Sequence, residues 1–424
     1  MHVQNKEKKY FLKIQPRIQI RKYVYEYYGY VVDENNKEHP FAKGGGIGLE
    51  KEEAKSKAIG ETIERFCSTS IKEKRVWADF KTLKFYAINP KLLIKFHRNQ
   101  YNSNFLYHKF KDNIKIYWNK GYSLINKRSI FVPSAVCYLY YYQLENNEPR
   151  MFLSTSNGLA AGPTNIQAIL SAILELIERD AIMLSWYIRR SPCKIKLETI
   201  KSDRIQFLIS ELKKEGLIPV ILLMTLDIPV PVILTILYSK KNLTPYATFG
   251  GAADFNLDNA ILKALLESIM LRNTLEILYN DNKLYNLKNK KDVKSFLDHG
   301  IFYSYPTNKK YWEFLLKGPE KNYENIKEYF SKIYNTLPVQ NNYKAALDFL
   351  KNHLLKINKN NDIVVVNLTK KIVRDLGFKV VRVIIPALQP IDVRYDARCL
   401  GGIRLKYFLR KNKCKLNNAP HPLT

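Results

Sequence analysis

Between residues 171 and 186 the chain reads SAILELIERDAIMLSW, so apolar that a helix built from it must be enclosed by other protein over most of its circumference. Three charges, Glu175, Glu178 and Arg179, stand inside it. Positions i, i+4, i+7 and i+8 share one helix face, so Ser171, Glu175, Glu178 and Arg179 make a single polar stripe. The segment KAIGETIERFCS carries the same stripe as Lys57, Glu61, Glu64 and Arg65. An isolated ExxER pattern is most often a solvated face whose ion pairs contribute only ~0.2–0.5 kcal/mol each. Here the surrounding residues argue for burial, where unpaired charges are costly, and each stripe follows a run of small residues, FAKGGGIG or SNGLAAG. A third such run, ATFGGAAD, precedes the helix-forming NAILKALLESIMLRN. The sequence is therefore read as small-residue loops feeding long helices, with glycines 44 to 46 and Gly48 forming the first loop. Such a loop can cradle an anion, although neither a P-loop nor a dinucleotide fingerprint is formed.

If the two stripes face each other, four carboxylates converge and their repulsion calls for a cation. Magnesium suits an all-oxygen donor set and bridges carboxylates to nucleotide phosphates, while Arg65 and Arg179 would hold phosphate oxygens. Gln167 has two readings at this stage, a ligand contact or the third residue of a Thr164-x-x-Gln167 capping box that starts the helix.

The remaining sequence sets the frame. The 424 residues, 46% of them hydrophobic, are enough for a large core. Strand-like and helical segments alternate without a Gly/Ser linker, which predicts a mixed α/β domain over 41–424 preceded by a strand or hairpin extension over 1–40. GLIPVILLMTL and VPVILTILYS read as a buried strand pair, SIFVPSAVCYLYYY as strand-like, and DIVVVNLTKKIVRDLGFKVVRVII as two strands around a short helix. Five scattered cysteines without CxxC pairs indicate neither a disulfide framework nor structural zinc. The first residues lack the apolar core of a signal peptide and no run reaches membrane-spanning length, so a soluble cytoplasmic protein is expected. A net charge of +30 suits an acidic peptide or a nucleic acid, but no nucleic-acid-binding signature accompanies it and nucleic acid is disfavoured.

KAIGETIERFCS, SNGLAAGPTNIQAILSAILELIERDA and GGAADFNLDNAILKALLESIMLR, in this order, resemble the signature segments of the YcaO family. VVRVIIPALQP and the closing PHPLT are similar to that family's last strand and proline-rich end, so the resemblance runs from about residue 40 to 424. It implies a YcaO-type fold with ATP between helices packed on mixed sheets. By position it gives Glu61, Glu64, Glu175 and Glu178 to magnesium, and Arg65, Gln167, Arg179, Glu267 and Arg272 to ATP. Three positions depart from the family pattern: Gly46-Ile47-Gly48 for GKG, Lys57 for serine, and Met270 for a glutamine. The first two are similar to the peptide-heterocyclising branch.

The implied activity is ATP-dependent cyclodehydration of Cys, Ser or Thr in a ribosomal precursor peptide to thiazoline or oxazoline, as in biosynthesis of thiazole/oxazole-modified microcins. The nucleophile then belongs to the substrate, and no catalytic Cys or Ser is expected in the enzyme. PHPLT is read either as a frayed end or, from its likeness to the PxPxP ending of azoline formers, as a segment that brings Pro420, Pro422 and Thr424 to the catalytic site. The implied partners are the precursor peptide and a leader-binding protein related to ubiquitin-activating enzymes. A flavin-dependent dehydrogenase and a homodimer are left open. The alternatives are thioamide formation by the same ATP chemistry, or a non-catalytic peptide- or nucleic-acid-binding protein with this fold.

Overall fold

The computed structural model describes residues 9–424 apart from 72–73, 146, 286, 288, 335–341 and 359–360. Three sheets and three long helices carry the architecture. Tyr10–Pro16, Tyr25–Asp33 and Glu38–Gly48 form a three-stranded antiparallel sheet on which the first long helix, Lys51–Ser68, packs. The second long helix, Asn165–Tyr187, lies against the strand Leu159–Gly162 that precedes it and against Lys379–Ile384. These two strands are neighbours in a six-stranded antiparallel sheet, ordered Val76–Asp79, Lys115–Ser123, Val364–Asn367, Lys379–Ile384, Leu159–Gly162, with Arg128–Pro133 paired to Lys115–Ser123. The third long helix, Leu257–Asn280, covers a five-stranded sheet ordered Ala247–Ala253, Val232–Ser239, Leu217–Leu223, Cys193–Ile195, Glu320–Lys321. Only the last pair of that sheet is parallel.

The mixed α/β class and the strand pairs at 217–239 and 364–384 agree with the sequence reading. Two details differ. The strand in SIFVPSAVCYLYYY ends at Pro133 and the rest folds as short helical turns, Ser134–Val136 and Tyr141–Leu144. The three small-residue runs, read as loops, are largely strands: Gly44 to Gly46 and Gly48 close Glu38–Gly48, Leu159–Gly162 is the second, and Ala247–Ala253 the third. The small residues are needed for a different reason, because in each unit strand backbone lies directly on helix backbone. A Cβ on Gly46 would stand 2.1 Å from the Ala54 carbonyl oxygen, and one on Gly250 2.2 Å from that of Ala264. Loop-like composition here marks close packing.

The second helix is enclosed as its composition demands, with the segment from Asp180 to Tyr187 buried throughout. Trp186, Tyr187, Phe249, Tyr303 and Trp312 belong to one large cluster joining this helix to the five-stranded sheet and the C-terminal segment. Among the described residues no helix is long and apolar enough to cross a membrane.

Gly250→Ala has no room for its methyl group between sheet and helix, and overpacking of this kind costs about 2–3 kcal/mol. The midpoint of urea unfolding should fall accordingly; an unchanged midpoint would show that the helix can move off the sheet freely.

Candidate active site

Each of the three strand–helix units holds a helix glutamate with a backbone amide of its small-residue run, from within the strand in the first and third units and from the turn just before it in the second. Gly45 N–H donates to Glu61 Oε2 at 2.7 Å, Gly251 N–H to Glu267 Oε2 at 2.7 Å, and Gly158 N–H to the Glu175 carboxylate. The three glutamates therefore occupy equivalent places. One turn further on, the same faces carry Glu64, Glu178 and Met270, and one turn earlier Lys57, Ser171 and Lys263. All nine residues line a single cavity of about 1200 Å³. Arg65 and Arg179 line it too, together with Arg17, Tyr28, Lys43 and Thr424.

Within the cavity the arginines bind the carboxylates of their own helices. Arg65 reaches Glu61 at 2.9 Å and Glu64 at 3.1 Å. Arg179 is more loosely placed, 3.6 Å from Glu175 and 3.4 Å from Glu178, and its Nε has no hydrogen-bond partner among the described residues. Burial pushes Glu64 up to about 8; Arg65 opposes this, and Glu175 and Glu61 add to it. Burial likewise pushes Glu178 up to about 8 against Arg179, with Glu267 and Glu175 adding repulsion. Glu175 and Glu267 are raised as well, chiefly by burial. Burial, with repulsion among neighbouring carboxylates, thus disfavours the charged forms of Glu64, Glu175, Glu178 and Glu267.

This donor set fits a hard divalent cation, which prefers oxygen and offsets the repulsion. Among the described residues no three His, Cys, Asp or Glu side chains converge on one point. That suits magnesium, which is commonly held by one or two carboxylates and completed by substrate phosphates and water. The arginines have the forked geometry to bind those phosphates bidentately.

Four of the sequence candidates do not line this cavity: Gln167, Arg272, and the two prolines Pro420 and Pro422, of whose segment only Thr424 does. Gln167 lies at the start of its helix, where Thr164 Oγ1 accepts from Gln167 N–H at 3.3 Å and the Gln167 amide donates to the Tyr343 hydroxyl at 3.0 Å. Thr164 is the cap, and Gln167 is the third helical residue whose backbone the cap satisfies. Arg272 follows Glu267 by five residues, which turns it about 140° off the shared face. It is buried against Glu276 at 2.8 Å, in a cluster with Arg21, and does not line the cavity.

Other cavity residues escaped the sequence reading. Lys263 was legible in principle, since applying the Lys57-to-Glu61 spacing to the third helix gives it directly. Arg17, Tyr28 and Lys43 were not, because they lie outside the helices, just after the first strand, in the second and in the third, where helical spacing does not reach. Arg382 lies behind the carboxylates, fully buried in its strand, with Nε donating to Val136 O and Nη2 to Thr155 O, both at 2.7 Å. Burial lowers its pKa to about 10, and its charge helps to offset those of Glu175 and Glu64. A lone arginine in VVRVII was the available signal.

The closing segment is not frayed. Pro420, His421, Pro422 and Leu423 are buried and Thr424 emerges into the cavity. The Ala419 carbonyl accepts from the Trp186 indole at 3.2 Å, and the Pro420 carbonyl from the Tyr303 hydroxyl. The His421 ring stacks on His299, with centroids 3.9 Å apart and planes at 15°. Burial, reinforced by His421, lowers the His299 pKa to about 3, so its ring carries one proton. We assign that proton to Nδ1, which lies 2.6 Å from the His421 carbonyl oxygen; Nε2 is 3.1 Å from that of Val393.

Comparison with known proteins follows the same lines. The profile of the family described as YcaO cyclodehydratase, ATP- and Mg2+-binding, matches residues 45–389. A heterocyclase in complex with substrate and cofactor superposes with a TM-score of 0.73 at 20% identity, covering 97% of this chain and 55% of its own. This chain therefore spans little more than half the length of that protein. The YcaO protein of Methanopyrus kandleri bound with AMPPCP and Mg2+ gives a TM-score of 0.58 at 15% identity, with 89% and 85% covered. The Escherichia coli microcin synthetase McbBCD complex with pro-MccB17 bound gives 0.59 at 14%, with 88% of each chain covered. At these identities the superpositions establish the fold, and the profile match over most of the sequence places the chain in the YcaO cyclodehydratase family.

Proposed function

We propose that the protein is an ATP- and magnesium-dependent cyclodehydratase that converts Cys, Ser or Thr of a precursor peptide to an azoline. The observation that carries this reading is the meeting of five carboxylates, two arginines and the chain's terminal residue in one cavity. Glu61, Glu64, Glu175 and Glu178 would hold magnesium, which when bound supplies a positive field for the phosphate charges. Glu267 shares the place of Glu61 and Glu175 and would complete the nucleotide end of the site.

In the reaction, a substrate thiol or hydroxyl adds to the preceding amide carbon, forming the new C–S or C–O bond of a five-membered ring. The amide oxygen, now an alkoxide, takes the γ-phosphoryl group as the bond to ADP breaks. Phosphate then leaves with that oxygen, the nitrogen gives up its proton and the C=N bond forms. The protein's task is to place the two reactants and stabilise the migrating charge, which suits Arg65 and Arg179 as phosphate clamps. Thr424, which lines the cavity, would act as a base or as a positioning residue for the substrate, with Pro420 and Pro422 stiffening its approach. Gln167 and Arg272, although matched by the family motifs, would act on nucleotide only through the helices they secure. Delivery of the peptide would fall to a leader-binding partner, in keeping with the assembly of the related fold in the microcin synthetase complex.

Glu178→Gln should lower magnesium-dependent ATP turnover by about 10²-fold or more without lowering the melting temperature; unfolding with normal nucleotide affinity would show the stripe to be structural. Deleting residues 420–424 should preserve ATP binding and abolish azoline formation. Mass spectrometry of Cys-, Ser- and Thr-containing precursor peptides incubated with enzyme, partner and ATP should show loss of one water per modified residue. Exchange of oxygen for sulfur would indicate thioamide formation, and no mass change in any peptide a binding protein.

Glu64 and Glu178 are raised from 4.5 to about 8, so between these values the folded state binds more protons than the unfolded one. Their contribution to stability is complete below about pH 4.5 and is lost as the pH rises towards about 8. The metal-free melting temperature should therefore fall across this window, and magnesium should restore more of it at the alkaline end. Glu64→Gln should flatten both effects; an identical response in wild type and variant would exclude Glu64 as their source.

A further inference from the structure

The terminal segment reaches the carboxylate cavity only because something fixes how far it extends, and His299 is placed to do so. It lies at the centre of a helix, Phe296–Tyr303, whose first residues Phe296 and Leu297 line the cavity beside Thr424. One face of its ring stacks on His421 while Nδ1 donates to the backbone carbonyl of that same residue. His421 is thus held by both ring and backbone, three residues before the terminus. From its other side, His421 Nε2 donates to the Asp392 backbone carbonyl, and the Asp392 carboxylate accepts from the Tyr187 hydroxyl and from Cys399 N–H at 3.2 Å. Next to His299, Gly300 faces Thr424 so closely that a Cβ there would stand 3.0 Å from Thr424 Cγ2. The helix therefore meets the tail at two points, one that anchors it and one that limits its approach.

We propose that His299 is a positioning residue that sets the register of the C-terminal segment, so that Thr424 stands at the carboxylate cavity. The proposal rests on the reading that this segment serves azoline formation. It adds that the anchor is a buried imidazole, which grips the chain by one hydrogen bond and one stacked ring, and that prolines alone do not fix the endpoint. An unanchored end fluctuates on the scale of ångströms, enough to remove a catalytic group from its working position.

Three variants test this: His299→Phe retains a ring for stacking and loses the Nδ1 donor, His299→Asn returns an amide donor near the place of Nδ1, and deletion of residues 420–424 serves as reference. Tail anchoring is read by carboxypeptidase release of Thr424 from the folded protein, and catalysis by kcat for azoline formation and KM for ATP. For His299→Phe we expect release to accelerate and kcat to fall, each about tenfold or more, with the KM for ATP within about twofold of wild type. His299→Asn should recover much of both. If His299→Phe does not fold, Tyr303→Phe, which removes the hydroxyl donor to the Pro420 carbonyl, should move both readouts in the same direction. The proposal is overturned if Thr424 release is unchanged, or if release accelerates while kcat stays at the wild-type value although the deletion abolishes turnover. Normal turnover by the deletion variant would instead defeat the functional reading of the tail itself, whatever His299→Phe does to Thr424 release.

Discussion

A backbone amide of a small-residue run held against a helix carboxylate, repeated three times, is the contact on which the site depends. Gly45, Gly158 and Gly251 each present an N–H to the first glutamate of a helix stripe. The backbone donor fixes each side chain's direction from the strand side and leaves the outer oxygen facing the cavity, where Arg65 meets that of Glu61 at 2.9 Å. The next glutamate, a turn further on, inherits its place from the helix. Strand and helix must then approach more closely than side chains allow, and Gly46 and Gly250 show this most sharply. Packing geometry and site geometry thus share one requirement. The arrangement also stores electrostatic cost, since burial makes the charged form of Glu64 and Glu178 unfavourable until a cation arrives.

The chain's end belongs to the same construction. Trp186 closes the second helix and donates to Ala419, Tyr187 donates to Asp392, and Asp392 borders His421. The helix that carries Glu175 and Glu178 at its middle therefore supports the terminal segment at its own C-terminal end. Cavity carboxylates and a closing segment far from them in sequence are registered against one rigid element, which is how precision at a site is usually maintained. The weak ion pairs of Arg179, at 3.4 and 3.6 Å, contrast with the closer ones of Arg65 and leave its guanidinium available to an anionic ligand.

Helical spacing identified both charged stripes, because side-chain direction in a helix follows from position alone. Lys263 obeyed the same rule and was available to it. Spacing could not decide between loop and strand for GGGIG, SNGLAAG and ATFGGAA, since glycine and alanine suit open turns and also tight interfaces. Nor could it separate Gln167 and Arg272 from their neighbours: both lie on the right helices, and only the completed packing turns one towards Tyr343 at the capped helix start and buries the other against Glu276. Tyr28, Lys43 and Arg382 come from strands whose pairing places them, and Arg17 directly follows a strand, so nothing local in the sequence announced their neighbours.

The sequence by itself determined which residues share a helix face, that one helix must be enclosed, and that the carboxylates on it need a counter-charge, because these follow from period, polarity and desolvation. Tertiary structure alone decided that the stripes converge on one cavity, that Glu267 stands beside their four glutamates, and that a five-residue tail is clamped instead of frayed. Those outcomes depend on which backbones approach one another across more than a hundred residues of chain, as from His299 to His421, and such long-range contacts are set by global packing.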